Sequence, residues 1–170
     1  MATPNNDGVE TLAPQILRQD EAVQVWLSSD VYTITVPGIA TGGMLSVTDA
    51  WVPPGGGPPP HIHIDALEVI FVLNGSITVD VDGRNEIVAA GDAAVIPAGT
   101  IHHFLNHTAT PVHLQLIFTP SGTEEFFREA GTPARPACSI PVATQGENAR
   151  AAEIGLRYGL HPGPNHTRQR

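Results

Sequence analysis

The chain alternates apolar and polar positions in short runs, and glycine, proline or an Asx-Gly pair interrupts nearly every run. A period of two is the signature of strands that bury one face. Val23–Leu27, Val31–Val36 and Met44–Val52 are rich in β-branched and aromatic residues, with Ser28-Ser29-Asp30 and Thr41-Gly42-Gly43 between them. Residues 53–60 are prolines and glycines throughout, which excludes regular structure there. Leu67–Leu73 and Ile77–Val81 then flank Asn74-Gly75, and Asp82-Gly83 leads to Glu86–Ala89. Both pairs tolerate positive φ and predict hairpin turns. Gly91-Asp92 turns into Ala93–Ile96, Pro97-Ala98-Gly99 into Thr100–Leu105, and Val112–Phe118 closes the series. Nine or ten short strands with no helix between them predict an all-β sandwich or barrel over residues 21–120.

Helical patterning comes only afterwards. Ser121-Gly122-Thr123-Glu124 fits a capping box ahead of Glu125–Ala130, with Gly131 as a stop. Glu147–Tyr158 puts Ala151, Ile154 and Tyr158 on one face and ends at Gly159. The expectation is a C-terminal extension over residues 121–160, made of two short amphipathic helices packed outside the sheet. Residues 1–20 are polar and read as a flexible arm, and residues 161–170 read as a loose tail. No internal repeat is visible, so one barrel is expected.

Composition narrows the class. The 17 glycines and 16 prolines among 170 residues favour strands and turns over long helices. Net charge is -9, from 8 basic and 17 acidic residues, and every basic residue is Arg. That balance argues against a nucleic acid or an anionic membrane as partner, and reads as a hydrated, soluble surface. Cys138 is the single cysteine, so no intrachain disulfide is possible; it lies among Pro133, Pro136 and Pro141 and reads as a bland thiol. The first ten residues lack the apolar core of a signal peptide. No apolar run approaches the ~18 residues of a membrane span. A cytoplasmic location is therefore expected.

Two histidine-bearing stretches carry the chemistry. The first holds Gly55, His61-Ile62-His63, Glu68 and Gly75; the second holds Gly91, Pro97, Gly99, His102 and Asn106. On a strand, residues i and i+2 share a face and lie about 6.5 Å apart along the chain. His61 and His63 can therefore tilt onto one ion. Glu68 opens the next apolar strand and can reach back across the bend at Asp65-Ala66, while His102 arrives from a strand distant in sequence. Three imidazoles and a carboxylate suit one divalent Fe, Mn, Ni, Co or Zn, and the lack of a thiolate argues against a closed structural zinc site. Four protein ligands leave an octahedral ion two positions for water or substrate. The remaining histidines carry less. His103 faces away from His102, and His107, His161 and His166 fall in loops or the tail. His113 and Gln115 share one face of the last strand and Val112, Leu114, Leu116 and Phe118 the other; alternation allows either face to line the cavity, and an outward polar pair is the preferred reading. Asn106 reads as structural, satisfying backbone groups at a strand end.

With G-x5-H-x-H-x4-E-x6-G at 55–75 and G-x5-P-x-G-x2-H-x3-N at 91–106, the chain resembles the cupin superfamily. The resemblance implies a jelly-roll β-barrel in which His61, His63, Glu68 and His102 match the family's four metal ligands. The flanking stretches, including Thr119 to Phe127 and Arg157-Tyr158-Gly159, look like bacterial single-domain cupins related to quercetin 2,3-dioxygenases. In that family the substrate's enol or phenol oxygen binds the metal, the ligand Glu serves as base for the hydroxyl proton, and O2 attacks the activated ring. Glu68 would take the catalytic role here, and strand alternation nominates Met44, Trp51, Ile70, Phe104 and Phe118 to line a pocket for a small aromatic substrate. Ala66-Leu67 precede Glu68 where many relatives carry an acidic or aromatic residue, which alters the rim of the site. Two alternatives stand beside the dioxygenase: a redox-neutral cupin enzyme, such as a polyketide cyclase or isomerase, and a non-catalytic cupin that binds a small molecule. Cupins of this type commonly form homodimers, and Val23–Val36 is compatible with such an interface.

Overall fold

A computed structural model describes residues 3–4, 10–134 and 144–163, with side chains described for 12–134 and 144–163. β1 (Thr3–Pro4) and β2 (Glu10–Thr11) pair with each other. The chain then runs through β3 (Val23–Leu27), β4 (Asp30–Val36), β5 (Ser46–Val52), β6 (His61–His63) and β7 (Leu67–Asn74). It continues through β8 (Ser76–Val81), β9 (Arg84–Ala89), β10 (Ala93–Ile96), β11 (His102–Leu105) and β12 (Val112–Thr119). α1 (Thr123–Ala130) and β13 (Thr132–Pro133) follow, and after them α2 (Gln145–Gly155) and β14 (Leu160–Pro162). The barrel strands form a seven-stranded sheet, β10-β7-β12-β5-β4-β3-β13, and a five-stranded sheet, β14-β6-β11-β8-β9. The two sheets make a jelly roll, and alternate residues of each fill the space between them. Ile70, Val72, Ile77, Val79, Val112, Leu114, Leu116 and Phe118 are all buried there.

Turn chemistry was legible, but its meaning was not always a hairpin. Asp82-Gly83 does join two paired strands, β8 and β9, with both residues at positive φ. Asn74-Gly75 does not: β7 belongs to the seven-stranded sheet and β8 to the five-stranded one. Gly75, at φ 85°, turns the chain from one sheet to the other, and a Cβ there would stand 2.9 Å from a methyl of Val112. Gly91-Asp92 and Pro97-Ala98-Gly99 mark further crossings between the sheets, before β10 and before β11. A turn signal says that the chain reverses, and only the packing of the two sheets decides which strand it meets next.

The C-terminal extension also departs from expectation in detail. α1 is present, but Ser121 does not cap it. The carboxylate of Glu124, almost fully buried, accepts from the backbone N–H groups of Gly122 (2.6 Å) and Gly38 (2.8 Å), tying the helix to the 3₁₀ turn Gly38–Thr41. α2 begins two residues earlier than expected. Its capping box lies just ahead, where Thr144 Oγ1 accepts from the Glu147 N–H and Glu147 Oε2 accepts from the Thr144 N–H. The helix tightens into a 3₁₀ turn over Leu156–Tyr158 and stops at the left-handed Gly159. His161 and Pro162 are not loose tail: with Leu160 they form β14, which pairs with β6 and sets Leu160 opposite His63 and Pro162 opposite His61. Cys138 and His166 lie outside the described residues. Among the described residues no helix is long and apolar enough to cross a membrane.

Candidate metal centre and its cavity

Both sheets contribute to the site. His61 and His63 sit at alternate positions of β6, and His102 on β11 pairs directly opposite His61 in the five-stranded sheet. Glu68 comes from β7 of the seven-stranded sheet, two residues after the Asp65-Ala66 bend. The motif residues around these four serve the backbone. The Gly99 N–H donates to the His63 carbonyl (2.8 Å), the Gly55 N–H to the Asn106 carbonyl (2.8 Å), and the Asn106 N–H to the Gly56 carbonyl (3.0 Å). The Asn106 side chain donates to the Val52 and Thr110 carbonyls and accepts from Thr108, so its structural role is visible in four bonds.

The donor atoms converge. His61 Nε2 lies 3.2 Å from His63 Nε2, His63 Nε2 lies 3.1 Å from Glu68 Oε2, and His102 Nε2 lies 2.8 Å from the same oxygen. One ligand atom from each of the four residues falls within 4.8 Å of all the others. Two backbone carbonyls orient the rings: His61 Nδ1 is 3.0 Å from the Pro59 oxygen and His102 Nδ1 is 3.0 Å from the Thr100 oxygen. A Nδ1–H donated to a carbonyl leaves the Nε2 lone pair facing inward. Lone pairs and a carboxylate turned on one another repel unless a cation lies among them. Donors bound about 2.1 Å from one ion, near right angles, stand about 3 Å apart. The four residues therefore fit a divalent metal ion.

Electrostatics without a metal tell the same story through protons. Burial alone would raise the Glu68 carboxyl, but hydrogen bonds from His102 and His63 outweigh it and hold the group well below the usual carboxylate range. Burial opposes a charge on His102, yet its bond to Glu68 raises its pKa above the ordinary imidazole value. Desolvation, reinforced by His102 and His63, pushes His61 down to about 3. A positive charge is thus drawn to the Glu68 oxygen, while the His61 ring is kept neutral and able to ligate.

The site opens on a cavity of about 230 Å³. Phe104 and Phe118 line it together with His61, His63 and Glu68, as alternation suggested. Met44, Trp51 and Ile70 do not line it, and this corrects the sequence expectation. Met44 precedes β5 in a turn and is exposed. Trp51 has the opposite parity to the inward Ser46, Thr48, Ala50 and Val52; it lies on the outer face, its ring stacked on His113 with centroids 4.4 Å apart. Ile70 does point inward from β7, but it is fully enclosed in the core. His113 and Gln115 do face outward, where both lie beside Asp49.

The cavity walls hold residues that alternation within the barrel strands missed. Phe126 and Phe127 come from α1, Ala151 and Gly155 from α2, and Leu160 from β14. Pro58, Pro59 and Pro60 supply one side, and Tyr32 enters from β4. Asp30, which the sequence sets with Ser28-Ser29 between two strands, opens β4 with no solvent exposure and accepts from the Tyr32 hydroxyl at 3.0 Å. The turn is Ser28-Ser29 alone, both at positive φ.

Burial raises the Asp30 carboxyl from 3.8 to about 7, against smaller opposing bonds from Tyr32 and the Gly57 amide. The unfolded chain releases this proton near pH 4 and the folded chain keeps it to near pH 7, so the contribution to stability is complete below pH 4 and is lost as pH rises through 7. We expect the stability difference between wild type and Asp30→Asn to swing by about 3 kcal/mol between pH 5 and 8, the wild type losing ground as pH rises. Urea unfolding of metal-free protein measures it, and a pH-independent difference would show that Asp30 titrates normally.

Similarity to known proteins agrees with this geometry. Residues 50–123, which hold all four converging side chains, match the family described as "Cupin domain". A quercetin 2,3-dioxygenase of Bacillus subtilis (strain 168) is 33% identical over 91 residues, covering 54% of this chain and 27% of that one. The chain spans under half the length of the first curated relatives it matches. Among solved structures, one of a predicted oxalate decarboxylase of Thermotoga maritima superposes with a TM-score of 0.58 at 18% identity, over 62% of this chain and 99% of that one. The polyketide cyclase RemF of Streptomyces resistomycificus gives 0.56 at 18% identity, over 80% and 91%. Residues 50–123 of this chain match the cupin domain family, and both intact histidine motifs lie within that stretch, brought together by the jelly roll.

Proposed function

We propose that this chain is a metal-dependent dioxygenase of the quercetinase-like type, acting with O2 on a flavonol or another enolisable aromatic compound. The observation that carries the reading is the join between a four-donor cluster and a cavity lined by Phe104, Phe118, Phe126 and Phe127. A flat, aromatic molecule matches those walls, and its acidic hydroxyl matches the polar end. His61, His63, Glu68 and His102 would hold the metal. Bound there, a divalent ion supplies Lewis acidity towards a substrate oxygen. The protein's part is to orient and to move a proton. The aromatic walls exclude water and hold the ring plane, while the Glu68 carboxylate, at the polar end of the cavity, would accept the substrate's hydroxyl proton.

The test is oxygen uptake. Protein reconstituted separately with Fe, Mn, Co, Ni and Zn is given quercetin in an oxygen electrode. Substrate loss matched one-to-one by O2 consumption is expected with at least one metal, falling by about 10² or more in Glu68→Gln. Substrate conversion without oxygen uptake would replace the dioxygenase with the redox-neutral enzyme. Tight binding of small aromatics with no conversion would leave the binding protein.

A further inference from the structure

The four converging donors make no use of Asp30 and Tyr32, yet Tyr32 lines the same cavity and the fully buried Asp30 accepts from its hydroxyl. Burying a carboxylate costs several kcal/mol unless its oxygens are well paired. An apolar residue would fill this inward position of β4 at lower cost. Asp30 Oδ2 accepts from the Tyr32 hydroxyl, but Oδ1 has no donor in hydrogen-bond geometry among the described residues, although the Gly57 amide lies close enough to favour its charge. The loop is shaped around this oxygen, since a Cβ on Gly56 would stand 2.5 Å from it. Tyr32 is fixed from the other side: its ring stacks on Phe127, with centroids 4.4 Å apart and planes within 19°. It lines the cavity alongside Glu68, His61 and His63.

We propose that Tyr32 and Asp30 form a proton relay for a hydroxylated substrate in this cavity, in which the Tyr32 oxygen takes a substrate hydroxyl proton as its own proton passes to Asp30 Oδ2. The bonds balance. The substrate O–H breaks as a Tyr32 O–H forms, the original Tyr32 O–H breaks as an Asp30 O–H forms, and the negative charge moves from Asp30 to the substrate oxygen. The relay rests on reading the cavity as the place where an enolisable aromatic compound binds, and it adds a proton acceptor to Glu68, whose Oε2 already meets His63 and His102.

The ionisable groups acting on the pair are each partner on the other and Glu68, which reaches Tyr32 from β7. Burial, then Asp30, then Glu68 keep the Tyr32 hydroxyl well above its ordinary pKa, so a tyrosinate does not persist and Tyr32 hands its proton on. Burial places the Asp30 acceptor at about 7, which suits a phenol or enol whose own pKa is lowered on binding.

The probe is 4-nitrocatechol, whose visible spectrum distinguishes its neutral and ionised forms. It is titrated anaerobically into the metal-loaded 170-residue chain between pH 5 and 9, for wild type, Tyr32→Phe and Asp30→Asn, with metal content and Tm recorded for each. Both variants should keep their metal, bind the probe about tenfold more weakly at pH 7, and ionise it with a midpoint about one pH unit higher. A purely structural pair would move Tm and leave that midpoint in place. An unchanged midpoint in Tyr32→Phe, which retains the ring against Phe127 and so the fold, would overturn the relay. So would a wild type that binds no probe or binds it only un-ionised. The expected shift without oxygen uptake on quercetin would retire the dioxygenase and leave the relay standing.

Discussion

His102→Ala is expected to lower metal affinity at least a hundredfold, so that protein dialysed against a weak chelator retains far less than one ion per chain. Removing an outer-sphere partner of a ligand typically costs 10–100-fold, and a direct donor costs more. The geometry makes His102 hard to replace. It is 1% exposed, its Nδ1 is held by the Thr100 carbonyl, and its Nε2 lies 2.8 Å from Glu68 Oε2, against 3.1 Å for His63 Nε2. The metal-free protein should suffer as well. Without His102 the buried Glu68 carboxylate keeps only His63 beside its Oε2, and stranding a buried charge costs about 3–5 kcal/mol. Elemental analysis reads the first effect and urea unfolding at pH 7 the second. Wild-type metal content in the variant would mean that the ion, if bound, sits elsewhere.

Deleting residues 156–170 is expected to weaken metal binding by about tenfold or more, although no donor is removed. The reason is mechanical. β6 carries two of the four donors on only three residues, and its contact with β11 is the single pair His61–His102. Its other edge is held by β14, with the Ile64 N–H donating to the Gly159 carbonyl and the Gly163 N–H to the Pro60 carbonyl, both at 2.8 Å. The same segment is anchored to α1 through Glu129, which accepts from Tyr158 at 2.7 Å and pairs with Arg157. Cutting it frees one edge of the metal-bearing strand and removes Leu160 from the cavity wall. Chelator competition on wild type and the truncated chain decides the point. Equal affinities would show that β11 and the proline loop hold β6 without help.

Residues close in sequence were the legible part of this molecule. The strands were readable because each buries one face, and the fixed alternation of side chains turns that burial into a pattern along the chain. The four converging residues were readable because metal ligation demands particular atoms, and few residue types supply them. Asn106 was readable for a similar reason, as a buried amide at a strand end must satisfy its neighbours. Asp30 was not. A carboxylate after two serines looks like a turn, and nothing local reveals that Tyr32 and Gly56 enclose it. Trp51 misled for the opposite reason: its size suggested a cavity wall, while its parity along β5 put it outside on His113.

The sequence by itself determined the strand periodicity, the turns, the two helices and the donor set, because each depends on spacing of a few residues. Tertiary structure alone decided which sheet each strand joined, and so made Asn74-Gly75 a crossing between sheets. It also decided what encloses the cavity: α1, α2 and β14 close on a barrel whose own strands supply only part of the wall. Those contacts join residues far apart in the chain. Their free energy comes from burying apolar surface, which has no direction and leaves no local pattern to read.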